Sequence, residues 1–395
     1  MMGKRTSELI VSVSLWDSIK IHFLSCVYGS WVLTKRILKY LWDKDLDSSS
    51  CRDNPPTCLV DSSLGQHKYV KLKNIKMHYV ESGDRTRPLV LLLHGFPDFW
   101  LGWRHQIPIL SEDFRVVALD LKGFGDSDKP EWRSSYRIEI ILEELKQLLS
   151  TLGVNSCILV GHDLGALIGW YFVYQYPSMV DKFFAVSCPH PNIYGNISAN
   201  QWLNCVQLPY LPEIDALKHD VRIISEYHKK LPENYLEAYK YSFSRKEDWT
   251  GPINYYRNLP FSKISEKSDQ PMDVHTILMT GSQDTTATLE SLVKSTDYCD
   301  RVHVKIVESA GHFPHQENPE SFNEILMKFL KRKKNSDKSP SKRLMDRMFG
   351  AVSSTVKYGN SVLDSVQKRS NVSIPSINIL NNLNSTEENV KTIKC

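Results

Sequence analysis

The stretch that most constrains the fold of this chain runs from Cys157 to Trp170, where two apolar segments are joined by Gly161-His162-Asp163-Leu164-Gly165. The first segment is long enough for a strand and the second for a helix. Glycines on both sides of Asp163 permit a strained turn at which the two elements approach closely. A strand, a sharp turn and a helix in this order are typical of a nucleophile elbow, which usually carries Ser where this chain has Asp163.

A carboxylate at this position predicts a particular chemistry. Because an aspartate is ionised at neutral pH, Asp163 can attack carbon without a base to deprotonate it. The product is a covalent ester, so the chain should also supply a water-activating base, a group that orients the base and an oxyanion hole. The alternative is an ordinary surface aspartate in a Gly-rich turn, because short motifs also occur by chance.

Strand-like and helix-like patterns alternate along most of the chain. Alternating apolar residues predict a hairpin at 67–80, and apolar runs predict strands at 89–93, 114–119, 157–160, 183–186, 276–279 and 302–307. Between these runs, apolar residues recur at helical spacing. Between about 190 and 265 the helical segments become rich in Trp and Tyr. We therefore expect an α/β fold with a doubly wound, mostly parallel sheet and an inserted helical cap.

These patterns predict six segments. Residues 1–45 are a membrane-directed segment and 46–65 a linker. The core is divided into 66–190 and 266–334 by the cap at 191–265. Residues 335–395 form a basic, Ser- and Asn-rich tail that we expect to be largely disordered; the alternative is a basic amphipathic segment that lies on an anionic membrane.

The N-terminal segment leaves three alternatives open. Residues 21–34 carry no formal charge, but this stretch is shorter than the ~17–25 residues that a spanning helix needs. It is therefore an imperfect transmembrane helix, an interfacial amphipathic helix or a docked soluble helix. The basic residues at 35, 36, 39 and 44 outnumber those at 4 and 5, so a spanning segment would keep the main domain in the cytosol. We expect membrane association, with the catalytic domain on the cytosolic side of the endoplasmic reticulum.

Composition argues against several functional classes. The net charge is only +4, which does not indicate nucleic-acid binding. The eight cysteines form no CxxC or CxxH spacing, so no metal site is expected. The chain has neither a G-x-G-x-x-G loop nor a Walker loop, so we expect no cofactor.

Three further motifs complement Asp163. His94-Gly95-Phe96-Pro97 follows a predicted strand and would provide an oxyanion-hole N–H from Phe96, with a second from Leu164. Asp284 and His312 each follow a later strand, and the order Asp163, Asp284, His312 is nucleophile, acid and base. His312 would activate water and Asp284 would orient it. His315, three residues further on, is the alternative base.

Several of these stretches resemble the epoxide hydrolase branch of the α/β-hydrolase family, and the membrane-anchored animal members look most similar. The resemblance covers roughly residues 65–333. It rests on His94-Gly95-Phe96-Pro97-Asp98-Phe99-Trp100, on 103–106, on 120–130, on Gly161-His162-Asp163, on Asn254-Tyr255-Tyr256-Arg257-Asn258 and on 311–317.

The resemblance implies a two-step reaction. Asp163 opens the epoxide, tyrosines of the cap polarise and protonate its oxygen, and water activated by His312 and Asp284 releases a diol. Tyr256 matches one of these tyrosines.

The chain departs from the family at two positions. Trp202 stands where the second tyrosine is expected, five residues before Gln207, and an indole N–H donates a hydrogen bond but does not surrender its proton. Tyr210 is the nearby substitute, and both residues are candidates for substrate binding. Leu164 replaces the tryptophan that usually follows the nucleophile, and only its backbone N–H is needed.

Three hypotheses of function follow. The first is an epoxide hydrolase acting on small apolar, lipid-like epoxides. The second is a haloalkane-type dehalogenase, although Leu164 cannot donate a hydrogen bond from its side chain to a halide. The third is a membrane-associated protein with this fold but weak or no turnover, which Trp202 would favour.

Overall fold

The computed structural model describes residues 9–42, 52–194, 205–265 and 272–331, and within these ranges an eight-stranded sheet forms the centre of the molecule. Its strand order is β10-β9-β7-β6-β4-β5-β3-β2. The six strands from β10 to β5 are parallel, whereas β3 and β2 continue the sheet antiparallel. This confirms the mostly parallel sheet and the hairpin at its start. The strands are β1 (Ile10–Ser12), β2 (Gln66–Lys71), β3 (Lys76–Ser82), β4 (Leu89–Leu93), β5 (Arg115–Leu119), β6 (Cys157–His162), β7 (Val180–Val186), β8 (Ser262–Ile264), β9 (His275–Gly281) and β10 (Val302–Val307).

Helices cover both faces of the sheet and form the cap. They are α1 (Leu15–Trp42), α2 (Thr57–Val60), α3 (Ile107–Ser111), α4 (Ile138–Thr151), α5 (Leu164–Gln175), α6 (Pro191–Tyr194), α7 (Leu211–Tyr227), α8 (Glu233–Ser242), α9 (Glu247–Asn258), α10 (Leu289–Ser295), α11 (Pro314–Glu317) and α12 (Pro319–Leu330).

The centre of the sheet is hydrophobic on both faces, which explains its continuous apolar runs. Every residue of β4, β5 and β6 is buried. Helix α5 is buried along all but its last residue and packs on β6 and β7. Gly169 permits this contact, because a Cβ there would lie 2.6 Å from the ring of Phe183. The core therefore lies immediately beneath the turn that carries Asp163.

The cap is held to the core by polar side chains. His228 Nε2 donates to the carbonyl of Pro97 at 2.8 Å, and the hydroxyl of Tyr239 donates to Asp98 at 2.6 Å. Lys129 of the core pairs with Asp248 of the cap at 2.6 Å. These contacts place α7, α8 and α9 over the carboxyl ends of the parallel strands.

A kink divides helix α7. His219, Asp220 and Val221 are consecutive residues with positive φ angles between 51° and 56°. Arg52 makes a bidentate contact with Asp220 at 2.7 and 2.9 Å and a further one with Glu237 at 3.1 Å. The segment 52–65, predicted as a linker, thus contacts the cap through Arg52.

The described part of the N-terminal segment contacts the rest of the protein. Strand β1 pairs antiparallel with β8, and α1 buries Ile21, Ser25, Gly29 and Val32. Among the residues that the structure describes, no helix is long and apolar enough to cross a membrane, so the expected transmembrane helix is not supported. The predicted tail, 335–395, lies outside the described residues.

Candidate active site

Asp163 stands on a strained turn between β6 and α5. Its φ of 44° and ψ of −112° are unusual for a residue with a side chain. A Cβ on Gly165 would lie 2.3 Å from the carbonyl oxygen of Leu93, and one on Gly161 would lie 2.6 Å from the backbone of Ala166. Only glycine fits these two places, so the sequence G-x-D-x-G permits the turn that aims the carboxylate away from the sheet.

Two backbone N–H groups contact the carboxylate of Asp163. The N–H of Phe96 donates to Oδ2 at 3.1 Å. A backbone hydrogen bond from Leu164 helps to lower the pKa of Asp163. The structure thus places the two predicted oxyanion donors, Phe96 and Leu164, at the nucleophile.

Asp284 and His312 follow β9 and β10 and meet next to Asp163. His312 Nδ1 lies 3.0 Å from Asp284 Oδ2, and His312 Nε2 lies 3.7 Å from Asp163 Oδ1. The other contacts of Asp284 come from Thr286 N–H at 2.8 Å, Ala287 N–H at 3.0 Å and the Thr280 hydroxyl at 3.1 Å. Asp284 is therefore fixed as an orienting acceptor, and the imidazole bridges it to the nucleophile.

The three groups alter one another's protonation. Burial alone would raise the pKa of Asp163 and Asp284, but hydrogen bonds and charge from His312 outweigh it and hold both below their usual range. Burial alone would lower the pKa of His312, yet the two carboxylates raise it to about 10. The resting site is therefore an imidazolium between two carboxylates.

Three tyrosines lie within electrostatic reach of the nucleophile. The hydroxyl of Tyr256, on α9, donates to Asp163 Oδ2 at 3.3 Å. Burial first and then the charge of Asp163 raise the pKa of Tyr256 and of Tyr194 well above its usual value. The side chain of Tyr227 is 41% exposed, so its partial burial and the charge of Asp163 raise its pKa less strongly. Each phenol thus keeps its proton at neutral pH.

Tyr194 and Tyr227 are residues that sequence reasoning missed, since no motif marks them. Tyr227 ends the kinked helix α7, next to the His228 that contacts Pro97. Tyr210, the predicted substitute, is 66% exposed, and Lys246 Nζ lies 5.1 Å from the centre of its ring. Trp202 lies outside the described residues.

A second histidine pair lies beneath His312. His315, the alternative base, is fully buried, with Nε2 3.7 Å from Asp98 Oδ2. His162 Nε2 donates to the backbone carbonyl of His312 at 2.8 Å. Asp98, His162 and His315 could offer metal ligand atoms within 4.8 Å of one another.

The oxygens of Asp98 are already occupied, however. They accept the N–H of Phe99 at 2.8 Å, the hydroxyl of Tyr239 at 2.6 Å and the amide of Gln316 at 3.0 Å. This cluster therefore joins the cap to the loop that carries His312.

The chain is similar to several known proteins. The family described as alpha/beta hydrolase fold matches residues 88–209. Epoxide hydrolase 4 of Mus musculus is 34% identical over 80% of this chain and 95% of its own length. Epoxide hydrolase 3 of Xenopus tropicalis is 35% identical over 71% of this chain and 82% of its own length.

Solved structures of epoxide hydrolases also resemble this chain. An epoxide hydrolase mutant of Vigna radiata superposes with a TM-score of 0.60 at 28% identity, covering 67% of this chain and 98% of its own. The epoxide hydrolase of Bacillus megaterium in complex with an inhibitor gives a TM-score of 0.59 at 28% identity, covering 67% of this chain and all (100%) of its own.

Proposed function

The chain belongs to the epoxide hydrolases of the α/β-hydrolase fold, and from this premise we propose that it converts apolar, lipid-like epoxides to diols through a covalent ester on Asp163. The observation that supports this mechanism best is the set of groups around the Asp163 carboxylate. The N–H of Phe96, the hydroxyl of Tyr256 and the imidazole of His312 lie 3.1, 3.3 and 3.7 Å from its oxygens. A nucleophile, a proton donor and a base are thus in one place.

In the first step the carboxylate of Asp163 attacks a ring carbon, and the C–O bond of the epoxide breaks. Tyr256 donates a hydrogen bond to the ring oxygen and transfers its proton as the alkoxide forms. A phenol suits this role, because it holds its proton at neutral pH but is a stronger acid than an alcohol. Such proton transfer is worth about 10²–10⁴-fold in rate.

In the second step water hydrolyses the ester. Esterification neutralises Asp163, so His312 loses one of the two negative charges that hold its proton. That proton replaces the one that Tyr256 gave up, and the neutral imidazole then accepts a proton from water. The hydroxide attacks the ester carbonyl, whose oxyanion the N–H groups of Phe96 and Leu164 stabilise. Collapse releases the diol and restores the carboxylate.

The proposed substrate class is supported by the aromatic side chains around Tyr256. The ring of Phe96 lies 5.6 Å from that of Tyr256 and 5.8 Å from that of Trp249. Phe243 and Phe124 extend this group at ring distances of 6.5 and 6.3 Å from Phe96. These buried rings give the Tyr256 hydroxyl apolar surroundings, which favours apolar substituents on the epoxide.

We also propose that the N-terminal segment associates the protein with a membrane, on the cytosolic side of the endoplasmic reticulum. The basic residues that follow the uncharged stretch support the cytosolic side, because the anionic lipids of the cytosolic leaflet attract such residues. Cell fractionation and protease protection of intact microsomes test it. A catalytic domain protected by sealed microsomes would contradict the orientation.

Trapping the ester tests the chemistry. His312→Ala incubated with an epoxide is expected to gain the mass of that epoxide on the peptide that contains Asp163. Asp163→Asn should gain nothing, and His303→Ala, on strand β10, serves as the matched control and should release diol. A His312→Ala protein that forms no adduct with a panel of epoxides would contradict the mechanism, as would an Asp163→Asn protein with undiminished turnover.

A further inference from the structure

Helix α1 presents a long apolar face that no described part of the protein covers. Its buried residues, Ile21, Ser25, Gly29 and Val32, share one side of the helix. The opposite side carries large apolar side chains that are mostly exposed, at 80% for Trp16 and 65% for Phe23. The outward face is defined by Trp16, Ile19, Phe23, Val27 and Trp31.

The orientation of α1 on the protein is set by specific contacts. Strand β1, just before the helix, pairs with β8. A Cβ on Gly29 would lie 2.4 Å from the side chain of Leu208, so glycine permits a close approach to the cap. The rings of His22 and Phe261 lie 5.3 Å apart. Because these contacts fix one side of the helix, they also fix which residues point outward.

The hydroxyl groups on the exposed side are satisfied within the helix itself, and the charge on that side near its start is Lys20, whose long side chain can reach lipid headgroups. The hydroxyl of Ser30 donates to the carbonyl of Cys26 at 2.9 Å, and that of Thr34 donates to the carbonyl of Ser30 at 2.8 Å. From residue 21 to residue 34 the chain has no formal charge. A helix face exposed to water normally carries many charged residues. The hydroxyl groups of this face already have acceptors within the helix, so they need no water as a partner.

The ends of the outward face carry the residues that favour a lipid interface. Trp16 lies in the first turn, and Lys35 Nζ lies 3.8 Å from the centre of the Trp31 ring. Arg36 and Lys39 follow in the sequence. Tryptophan is enriched at membrane interfaces, and lysine there meets anionic headgroups. At about 1.5 Å per residue, the face from Trp16 to Trp31 is on the order of 22 Å long.

We propose that α1 lies flat on a lipid bilayer, with its outward face at the boundary of headgroups and acyl chains and its basic end on anionic headgroups. This inference rests on the membrane association proposed above and specifies its geometry. The cap residue that contacts the buried side of α1, Leu208, then lies across this helix from the bilayer.

Vesicle flotation of the full chain tests the face. Wild type is expected to float with phosphatidylcholine vesicles and more completely when phosphatidylserine is included. The double variant Phe23→Glu/Val27→Glu should lower the bound fraction at least about tenfold, because each change adds a charge to the outward face that would enter the lipid. Trp132→Glu, which changes a side chain that is 77% exposed outside α1, is the matched control and should float like wild type. Equal flotation of the double variant and wild type would overturn the proposal.

Light scattering of the protein without lipid tests whether the outward face of α1 binds a second copy of the chain instead of a bilayer. A monomer is expected. A dimer that the double variant dissociates would assign the face to a second copy of the chain and overturn the proposal. All variants should hydrolyse a water-soluble epoxide at the same rate. A protein that binds vesicles but forms no diol would refute the enzymatic function and leave the membrane proposal standing.

The depth of Cys26 in the bilayer distinguishes a helix that lies flat on the membrane from one that spans it. This free, exposed thiol lies near the middle of α1. A fluorophore on it is expected to lie about 5–10 Å into the boundary region, with Cys26→Ser as the blank for other thiols. Shallow quenchers should therefore quench it more than deep ones. The reverse order would place the middle of α1 at the bilayer centre and overturn the proposal.

Discussion

The proton on His312 gives the sharpest test of the proposed mechanism. Its imidazole lies 3.0 Å from Asp284 and 3.7 Å from Asp163 in the resting protein. Burial alone would lower its pKa, but the two carboxylates raise the pKa to about 10. His312 is therefore protonated at neutral pH and cannot accept a proton from water until this stabilisation weakens.

The size of the effect follows from the pKa shift. A rise in the pKa of His312 from 6.5 to about 10 corresponds to on the order of 5 kcal/mol, since one pH unit is about 1.4 kcal/mol. Burial lowers the pKa of His312, so the two carboxylates together raise it by more than this net amount, and losing one of them should remove at least about half of the net rise. Asp163→Asn, which imitates the neutral ester, is expected to lower the pKa of His312 by at least about two units.

The assay is a pH titration of ¹⁵N-labelled histidines by NMR, with His312→Gln used to identify the signal. Asp273→Asn, a change at a side chain that is 79% exposed, is the control and should leave the titration unchanged. The raised pKa also stabilises the fold below pH 6.5, a contribution lost as the pH rises through about 10. A His312 that titrates near 7 in wild type, or that Asp163→Asn does not shift, would refute the reasoning.

Three other predictions concern the site and the fold. Tyr256→Phe is expected to slow ester formation about 10²–10⁴-fold in single-turnover mass spectrometry and leave ester hydrolysis nearly unchanged. Hydrogen bonds to three cationic side chains outweigh the burial of Glu81 and lower its pKa from 4.5 to about 2. Its stabilisation, roughly 1–3 kcal/mol, is therefore present above pH 4.5 and lost as the pH falls towards 2; acid denaturation of Glu81→Gln should lack this loss. Gly165→Ala should reduce stability by more than about 2 kcal/mol in thermal denaturation, because a Cβ would meet a backbone carbonyl at 2.3 Å. Gly153→Ala meets nothing within 4 Å and should cost only the backbone strain of its φ of 74°, about 1 kcal/mol.

Much of the site could be predicted from the sequence, because the chemistry depends on strand ends. The apolar runs locate the strands, and in a parallel sheet their carboxyl ends meet at one edge. Asp163, Asp284 and His312 each lie within five residues of the end of such a strand, so their proximity follows from the order of the motifs. The glycines around Asp163 also predict the tight turn from the sequence alone, because glycine is needed there only if two backbones approach closely.

The cap could be predicted only in outline. Tyr227 is brought to the nucleophile by the kinked helix α7, and no local pattern indicates three consecutive left-handed residues. Tyr210 is the last residue before that helix, and its exposure depends on how the helix packs. The uncharged stretch at 21–34 predicts a helix, but the side that packs on the cap depends on Leu208 and Phe261, which lie far away in the sequence.

The contact between Arg52 and Asp220 has a practical consequence for any shortened form of this enzyme. Left-handed residues with side chains cost roughly 1–2 kcal/mol each, and Arg52 holds the carboxylate at the middle of three of them. A fragment that starts at the first strand of the sheet would keep all the groups that do chemistry but lose this guanidinium. Asp220 would keep Lys240 at 3.3 Å, but the kink of α7 would lose its bidentate partner and become less stable. The smallest fully active fragment should therefore begin upstream of residue 52.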